Sequence, residues 1–330
     1  MLTYTLQGLR SEPMARYSGT VTGWNQIAYL HSQWPKIAMA GGAGYIIGYP
    51  GRGAAVSFSV NMPNTTSAAL RSVIDPILAG LRGRSLDVTN STETGEESEL
   101  TRNRKPHIVG KYTDYDTFEA ARKDLSNIEE EQSQKAASQT FAGIGGNKIL
   151  TSWLWSAKDV ASPLLQQALR GSIGDVDAQL YSDATMGIGT HNPPYIRGGG
   201  NAVNPALRTA IMRPATELQW DGTNLDTLAR RQQDALRYGA ALKALSPAGG
   251  TYANEADPNS PDWQHAFWGS NYERLLTIKN SVDPKGIFYV RPPIQTTHNV
   301  VFPSELMCKQ CRSCVGSEQF IERGGVLCRR

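Results

Sequence analysis

Alternating and helical patterns of hydrophobic residues predict the elements of the first quarter of the chain. Apolar residues alternate with serines over 54–60, and this period of two predicts a half-buried strand. The next segment, 64–83, has apolar residues at helical spacing, which predicts an amphipathic helix with Thr66 or Ser67 as its N-cap and Gly83 at its exit. The apolar stripe of this helix consists of Leu70, Val73, Ile74, Ile77, Leu78 and Leu81.

The same two periods predict further elements along the chain. Helices are expected over 24–35, 156–171 and 221–246, and a strand over 176–181. The glycine-rich segment 40–45 lacks the G-x-G-x-x-G spacing and the Lys-Ser/Thr pair of phosphate-binding loops, so it predicts a turn that enters a strand. The residues expected to face inward are Val160, Leu164, Leu165 and Leu169 in the second helix, and Leu225, Leu228, Gln232, Ala235, Leu236 and Leu242 in the third.

The segment 251–290 is dense in aromatic residues and contains one clear helix. Asn271 begins its apolar stripe, and a carboxamide in that position needs partners because burying it unpaired costs about 1–3 kcal/mol. The helix is expected to end at Asp283 and Pro284, since the residue before proline is disfavoured in the α region. A short apolar strand is expected over 287–290. The rest of the stripe is formed by Leu275, Ile278 and Val282.

Composition and charge narrow the class of protein. The chain has 330 residues, of which 40% are hydrophobic and 19% charged, as in one large globular domain or two small ones. A net charge of +3 is too small to argue for nucleic acid or an anionic membrane surface as a partner. No apolar run reaches the roughly 18 residues of a membrane-spanning helix. Sequons at Asn64 and Asn90 are compatible with secretion, but the N-terminus lacks signal-peptide features, so the compartment stays open.

The cysteines do not predict a metal site. All four lie in the last 23 residues, and their spacing matches no usual zinc or ferredoxin pattern. A disulfide between two of them, Cys314 and Cys328, is the better-supported alternative in an oxidising compartment. The four are Cys308, Cys311, Cys314 and Cys328.

Several motifs of the segment 251–290 together carry a family resemblance. The segment resembles the C-terminal signature of berberine-bridge-enzyme-like FAD-linked oxidases, in the vanillyl-alcohol-oxidase superfamily. The run 254–259, NEADPN, is most similar to the fungal secondary-metabolism branch. The matching motifs are Tyr252-x-Asn254-x-x-Asp257, Trp268-Gly269-Ser270-Asn271-Tyr272-x-Arg274-Leu275, Ile278-Lys279 and Asp283-Pro284-x-x-x-Phe288.

The resemblance implies a fold and a cofactor. It implies an α+β substrate-binding domain in which helices cover one face of an antiparallel sheet and the other face roofs the isoalloxazine of FAD. It also implies an oxidase that transfers hydride from a small-molecule or secondary-metabolite substrate to flavin N5 and is reoxidised by dioxygen.

The resemblance also assigns site residues. Asn254 and Asn271 would lie against the flavin, as would Tyr252, which would line the active site and serve as catalytic base or orienter. A phenol needs a cationic or flavin neighbour to serve well as a base near neutral pH. The alternative is that these residues only cap turns and fill a core.

A second passage, 204–210, resembles the fungal NPAWR motif, in which a sheet strand faces the substrate cavity. Arg208 is therefore expected to face the substrate, while Leu207 stands where the motif commonly has an aromatic residue. Plant relatives place a catalytic glutamate shortly before this arginine, but the chain has only Gly, Asn and Ala there, so no carboxylate base is assigned.

The resemblance divides the chain into a substrate-binding domain over 1–250, a flavin-contacting segment over 251–290 and an irregular tail over 291–330. The family's N-terminal FAD domain has no counterpart in the sequence, so the chain is expected to be a truncated member. Segment 292–313 separates two passages that adjoin in fungal relatives and is interpreted as a retained intron. The alternative to an oxidoreductase is an inert fragment or interaction module, and a separate FAD-domain polypeptide would be its partner.

Overall fold

The structure is a computed structural model that describes thirteen stretches of the chain. They fall in two compact units, the first ending at Asn271 and the second beginning at Tyr272. The segments predicted as a strand over 287–290 and as a retained intron over 292–313 lie outside the described residues, as do three of the four cysteines. The described stretches are 13–20, 24–49, 55–83, 107–117, 119–120, 123–124, 148–173, 178–184, 201–220, 224–257, 259–285, 320–323 and 326–329.

The first unit is built on one antiparallel sheet of eight strands. Their order across the sheet is β4-β1-β3-β2-β7-β8-β5, and the short β6 also pairs with β8. The strands are β1 (Met14–Thr20), β2 (Ala43–Tyr49), β3 (Ala55–Asn61), β4 (His107–Thr113), β5 (Lys148–Ser152), β6 (Trp155–Ser156), β7 (Ala178–Ala184) and β8 (Ala210–Gln219).

Helices pack on one face of this sheet. In the first unit they are α1 (Trp24–Ser32), α2 (Trp34–Met39), α3 (Ser67–Arg82), α4 (Ala157–Val160), α5 (Leu165–Gly171), α6 (Leu225–Leu245) and α7 (Trp263–Trp268). The register aligns Tyr17, Phe58, Ile46 and Ser182 across four neighbouring strands, so their side chains share the face that the helices cover. Trp34 of α2 donates its indole N–H to the carbonyl of Ala184 on the same side. The predicted α+β fold, an antiparallel sheet covered by helices on one face, is confirmed.

The helix and strand predicted from the clearest patterns are confirmed with small shifts of their ends. Strand β3 covers the predicted alternation, and its apolar residues are buried. Helix α3 begins after Thr66, whose hydroxyl oxygen accepts a hydrogen bond from Ala69 N at 3.2 Å, and continues through Pro76. The glycine-rich turn leads directly into β2, as predicted, and an added Cβ at Gly44 would lie 1.8 Å from the carbonyl oxygen of Ser59.

The predicted inward faces of two helices are partly wrong. In α6 the buried stripe is Ala235, Tyr238 and Leu242, whereas Leu225 and Leu236 are exposed, because the helix packs through the turn around Gly239 against Thr151 of β5. The predicted helix over 156–171 is divided into α4 and α5, and Leu164 lies exposed between them.

The second unit contains α8 (Tyr272–Val282) and the hairpin of β9 (Phe320–Arg323) and β10 (Val326–Arg329). The predicted end of the helix before Asp283 is confirmed. Its expected stripe does not hold, since Ile278 and Val282 are 47% and 79% exposed. Across both units, none of the helices that the structure describes is long and apolar enough to cross a membrane.

Candidate functional site

The sheet face opposite the helices carries a cluster of aromatic and charged side chains, which we call the open-face cluster. It consists of Tyr45, Tyr181, Asp183, Arg213, Tyr252 and Glu255. Tyr45 on β2, Asp183 on β7 and Arg213 on β8 occupy one row of the register, so their side chains leave the sheet on the same side. Tyr181 lies two residues before Asp183 on β7, so its side chain is on the same face. It stacks on Tyr45, with ring centroids 5.5 Å apart.

Arg213 lies at the centre of the open-face cluster. Its side chain is 2% exposed, and its Nη2 lies 2.7 Å from Glu255 Oε2 and 3.3 Å from Asp183 Oδ2. Its guanidinium carbon lies 5.6 Å from the ring centroid of Tyr252 and 5.9 Å from that of Tyr181, within the range of cation–π attraction. Two carboxylates thus compensate the burial of one cation, which would be strongly unfavourable if it were unpaired.

The same environment acts on Tyr181. Burial raises the pKa of the Tyr181 phenol above its ordinary value, and the negative charge of Asp183 raises it further, while Arg213 opposes the shift. Tyr181 therefore remains a neutral phenol over the physiological pH range and serves as an aromatic surface and hydrogen-bonding group, not as a base.

The loop that carries Tyr252 and Asn254 is fixed at its backbone. Gly250 accepts a hydrogen bond from Leu154 N at 2.7 Å, and Thr251 N donates to the carbonyl of Ala266 on α7 at 2.7 Å. Ser152 of β5, whose register position lies on the open face, donates to the carbonyl of Glu255 at 2.5 Å and shares a 2.7 Å hydrogen bond with the Thr251 hydroxyl. These bonds hold the loop beside the open face of the sheet.

Tyr252 and Asn254 are brought together within this loop. Asn254 Nδ2 donates a hydrogen bond of 3.0 Å to the phenol oxygen of Tyr252. Tyr252 is 40% exposed, so its phenol group, whose oxygen already accepts one bond, remains accessible to a ligand. This arrangement suits a residue that exchanges a proton with a bound substrate.

A buried carboxylate ends the same loop. Asp257 is 4% exposed, and its Oδ1 accepts from the backbone N and the side-chain N of Asn259, at 2.9 and 3.1 Å. Burial raises the pKa of the Asp257 carboxyl, and the two bonds from Asn259 oppose that shift. The contacts of Asp257 stabilise the turn after Tyr252.

Arg208 and Asn271 form a second pair, joined through the residues 201–203. Arg208 Nη2 lies 3.3 Å from Asn201 Oδ1, and Asn271 Nδ2 donates to the carbonyls of Asn201 and Val203, at 3.3 and 2.9 Å. Both N–H groups of the Asn271 amide are therefore used, so a ligand of this amide would have to present an N–H or O–H donor to its oxygen.

The local structure around this second pair corrects one prediction. Arg208 was expected on a sheet strand, but it ends a short 3₁₀ helix, Pro205–Arg208, and β8 begins only at Ala210. The side chain of Asn204 caps this turn by accepting from Ala206 N, and proline at the first position pre-sets the backbone. Asn271 likewise belongs to a 3₁₀ turn, Gly269–Asn271, and not to the helix that follows it.

Asn204 connects the two pairs. It is 5% exposed, and its Nδ2 donates to the carbonyl of Ala266 at 2.8 Å, the same carbonyl that accepts from Thr251 N. An added Cβ at Gly250 would lie 2.4 Å from Asn204 Nδ2, and one at Gly269 would lie 3.2 Å from Asn204 Oδ1. The three loops that carry the predicted site residues therefore meet at one buried carboxamide.

Removing that carboxamide should loosen all three loops. We expect Asn204→Ala to lower the free energy of unfolding by about 2 kcal/mol, because Ala206 N loses its cap and the carbonyl of Ala266 loses one donor in a buried position. Urea unfolding followed by tryptophan fluorescence measures this change. The matched control, Gln233→Ala, removes an exposed carboxamide from α6 and should cost less than about 0.5 kcal/mol. Equal unfolding midpoints for the two variants would contradict the assignment of Asn204 as the connecting residue.

Sequence reasoning predicted one member of the open-face cluster, Tyr252, and three site residues outside it, Asn254, Asn271 and Arg208. It did not predict the other five members of the cluster. One signal was available: Arg213 interrupts the otherwise apolar start of strand 210–219, and a charge in such a strand needs a partner on its own face. The identity of that partner could not be read, since Asp183 and Glu255 lie on other elements.

Comparisons with known proteins match the segment that carries most of the predicted site residues. The family model described as "Berberine and berberine like" matches residues 251–295, the segment that carries Tyr252, Asn254 and Asn271. An uncharacterized FAD-linked oxidoreductase of Arthroderma benhamiae is 32% identical over 160 residues, which are 44% of this chain and 26% of that protein. The FAD-linked oxidoreductase patO of Aspergillus clavatus is 41% identical over 109 residues, 32% of this chain and 19% of that protein.

Solved structures share the fold over nearly the whole chain. A VAO-type flavoprotein from Myceliophthora thermophila C1 matches with a TM-score of 0.66 and 20% identity, covering 98% of this chain and 51% of that one. The BBE-like 1 protein of Physcomitrella patens matches with a TM-score of 0.55 and 12% identity, covering 86% of this chain and 55% of that one. The chain thus spans about half the length of these structures.

Proposed function

The chain is a berberine-bridge-enzyme-like protein of the vanillyl-alcohol-oxidase superfamily, and on this premise we propose that it forms the substrate-side part of an FAD-linked oxidoreductase. The observation that carries the proposal is the Tyr252–Asn254 pair. It lies within the segment that the family model matches, and within the loop the phenol oxygen accepts a 3.0 Å hydrogen bond from Asn254.

The residues present fit one wall of a flavin-ring site. The open face offers a stack of two tyrosines, Tyr45 and Tyr181, and a third tyrosine, Tyr252, which is exposed. We propose that Tyr252, Asn254 and Asn271 are the residues that would contact the FAD ring. When bound, FAD would accept hydride at N5 from a small-molecule substrate and be reoxidised by dioxygen.

The chain's own residues would bind the substrate and move its proton. We assign to the Tyr252 phenol oxygen the removal or orientation of a proton of a substrate hydroxyl, with Asn254 fixing the ring by donating to that oxygen. The Arg213 guanidinium lies 5.6 Å from the centre of the Tyr252 ring and would help to keep that ring in place. Arg208 would contact the substrate from the neighbouring turn.

A second candidate function is an interaction module that docks a separate FAD-domain polypeptide on the open face. Tyr45 and Tyr252 favour it, because they are 39% and 40% exposed on a surface rich in aromatic side chains. Tyrosine combines apolar contact area with a polar tip and is enriched in protein interfaces.

Flavin retention tests the proposal. We expect the purified chain, incubated with FAD and desalted, to retain a measurable but less than stoichiometric amount of flavin, because it supplies only one wall of the site; absorbance at about 450 nm measures the amount. Asn254→Ala should retain less, whereas Gln233→Ala, which removes an exposed carboxamide from α6, should match the wild type.

The failing outcomes separate the two candidate functions. Retention only after a flavin-domain polypeptide is added would favour the interaction module. No retention under either condition would overturn both.

A further inference from the structure

The geometry points to Arg213 as a positioning residue: we propose that its buried guanidinium holds the Tyr252 loop in place on the open face through Glu255. The proposal concerns the conformation of the loop, and its meaning for catalysis rests on the function proposed above. Arg213 would act through other residues and would not itself touch the reacting atoms.

Arg213 is supported by the most constrained strand of the sheet. β8 pairs with β7 along one edge and with β5 and β6 along the other. Pro214 lies where the second edge passes from β5 to β6, so its missing N–H disturbs no ladder, and its carbonyl accepts from Trp153 N at 3.1 Å. The backbone that carries the guanidinium is therefore fixed from both sides.

The two carboxylates that pair with Arg213 differ in what they connect. Asp183 is the direct cross-strand neighbour of Arg213, so this pair joins two groups that the sheet already holds together. Glu255 belongs to the loop, lies closer to the guanidinium at 2.7 Å and has a side chain that is 38% exposed. Of these two ion pairs, the one with Glu255 joins the Tyr252 loop to β8, and the buried Arg213 gives the loop a charged anchor.

The Arg213 guanidinium also lies close to two tyrosine rings. The guanidinium carbon contacts the Tyr252 ring on the loop and the Tyr181 ring on the sheet, and Tyr181 stacks on Tyr45. A lysine could replace the charge but not the flat guanidinium, which lies near both rings while its Nη2 pairs with two carboxylates. The position of Tyr252 is therefore expected to depend on arginine specifically.

The charges of the cluster argue against direct capture of an anionic substrate by Arg213. Two carboxylates and one guanidinium give the group a formal charge of −1, with both carboxylates already on the same Nη2. A further anion brought to this site would meet net repulsion. Holding the loop is the role that the contacts support.

The test uses the full chain without added flavin. Fluorotyrosine-labelled protein gives one fluorine NMR signal per tyrosine, and Tyr252→Phe identifies the signal of Tyr252. We expect Arg213→Met and Glu255→Gln to shift that signal and to accelerate amide hydrogen exchange in 251–257 about tenfold or more. Arg213→Lys should restore the signal only in part. The matched control is Arg237→Met, which removes an exposed arginine that also contacts a tyrosine ring, and it should change neither.

The milder variants decide the outcome if Arg213→Met does not fold. An unchanged Tyr252 signal and unchanged exchange in both folded Arg213→Lys and folded Glu255→Gln would overturn the proposal. Because neither readout involves flavin, a failure to retain FAD would reject the proposed function and leave this result standing. In flavin-loaded protein, the positioning role predicts that Glu255→Gln lowers kcat and leaves KM nearly unchanged.

Discussion

Replacing Tyr252 by phenylalanine is expected to slow substrate-dependent reduction of the flavin-loaded protein by about 10²–10⁴-fold, the usual range for loss of one acid–base group. The substitution keeps the ring that lies 5.6 Å from the Arg213 guanidinium and removes only the oxygen that accepts from Asn254. The backbone N–H groups of Leu154 and Thr251 and the hydroxyl of Ser152 still make their hydrogen bonds at this loop, so it should keep its conformation. The loss should therefore appear in kcat with little change in stability.

Anaerobic bleaching of flavin absorbance measures this rate, with the compound from a panel of small alcohols and phenols that bleaches the wild type fastest. Tyr29→Phe is the matched control, because it removes a phenol from α1 on the helix-covered side of the sheet, and it should bleach at the wild-type rate. A Tyr252→Phe rate within twofold of the wild type would remove Tyr252 from the list of acid–base candidates and leave it as a wall of the pocket.

Local sequence patterns predicted the helices and strands whose buried face can be read from the segment alone. The apolar residues that alternate with serines in β3 and the apolar stripe of α3 each form one buried face, and each face needs only one apolar layer to pack against. The orientation of α6 was not readable in this way, because its sequence offers more than one moderately apolar stripe. The structure selects the stripe that includes Tyr238 and Gly239, since a glycine allows close approach to Thr151 of β5.

Sequence motifs predicted those site residues that lie close together along the chain. Tyr252 and Asn254 are two residues apart, so one motif locates both, and the structure joins them directly. Arg213 finds its partners 30 residues before it and in the loop after α6, and only the strand register brings these charges together. The connecting role of Asn204 was hidden for the same reason, because its partner Ala266 lies 62 residues away.

A buried histidine on the opposite side of the sheet carries the second large effect. His31 is fully buried; its Nδ1–H donates to the carbonyl of Ile27 at 2.7 Å, and its Nε2 accepts from the Ser182 hydroxyl at 2.8 Å. The carbonyl partner assigns the neutral tautomer with the proton on Nδ1. Burial lowers the pKa of His31 from 6.5 to about 4, and the bond to Ile27 opposes that shift only in part.

This shift predicts a defined loss of stability in acid. Between pH 6.5 and about 4 the unfolded chain binds a proton at His31 that the folded chain does not, so stability falls as the pH falls through this window. Above pH 6.5 this loss is absent, and by about pH 4 the free energy of unfolding has fallen by roughly 3 kcal/mol because of His31. Urea unfolding at a series of pH values measures the slope.

The His31→Gln variant isolates this contribution from the carboxylates, which also titrate in acid. Glutamine lacks the titrating ring but can still donate and accept hydrogen bonds, so the variant should be less stable at neutral pH and lose less stability between pH 6.5 and 4 than the wild type does. His265→Gln changes an exposed histidine on α7 and should retain the wild-type slope. Parallel curves for His31→Gln and the wild type would mean that the folded and unfolded chains bind the same number of protons at His31, which would contradict the lowered pKa.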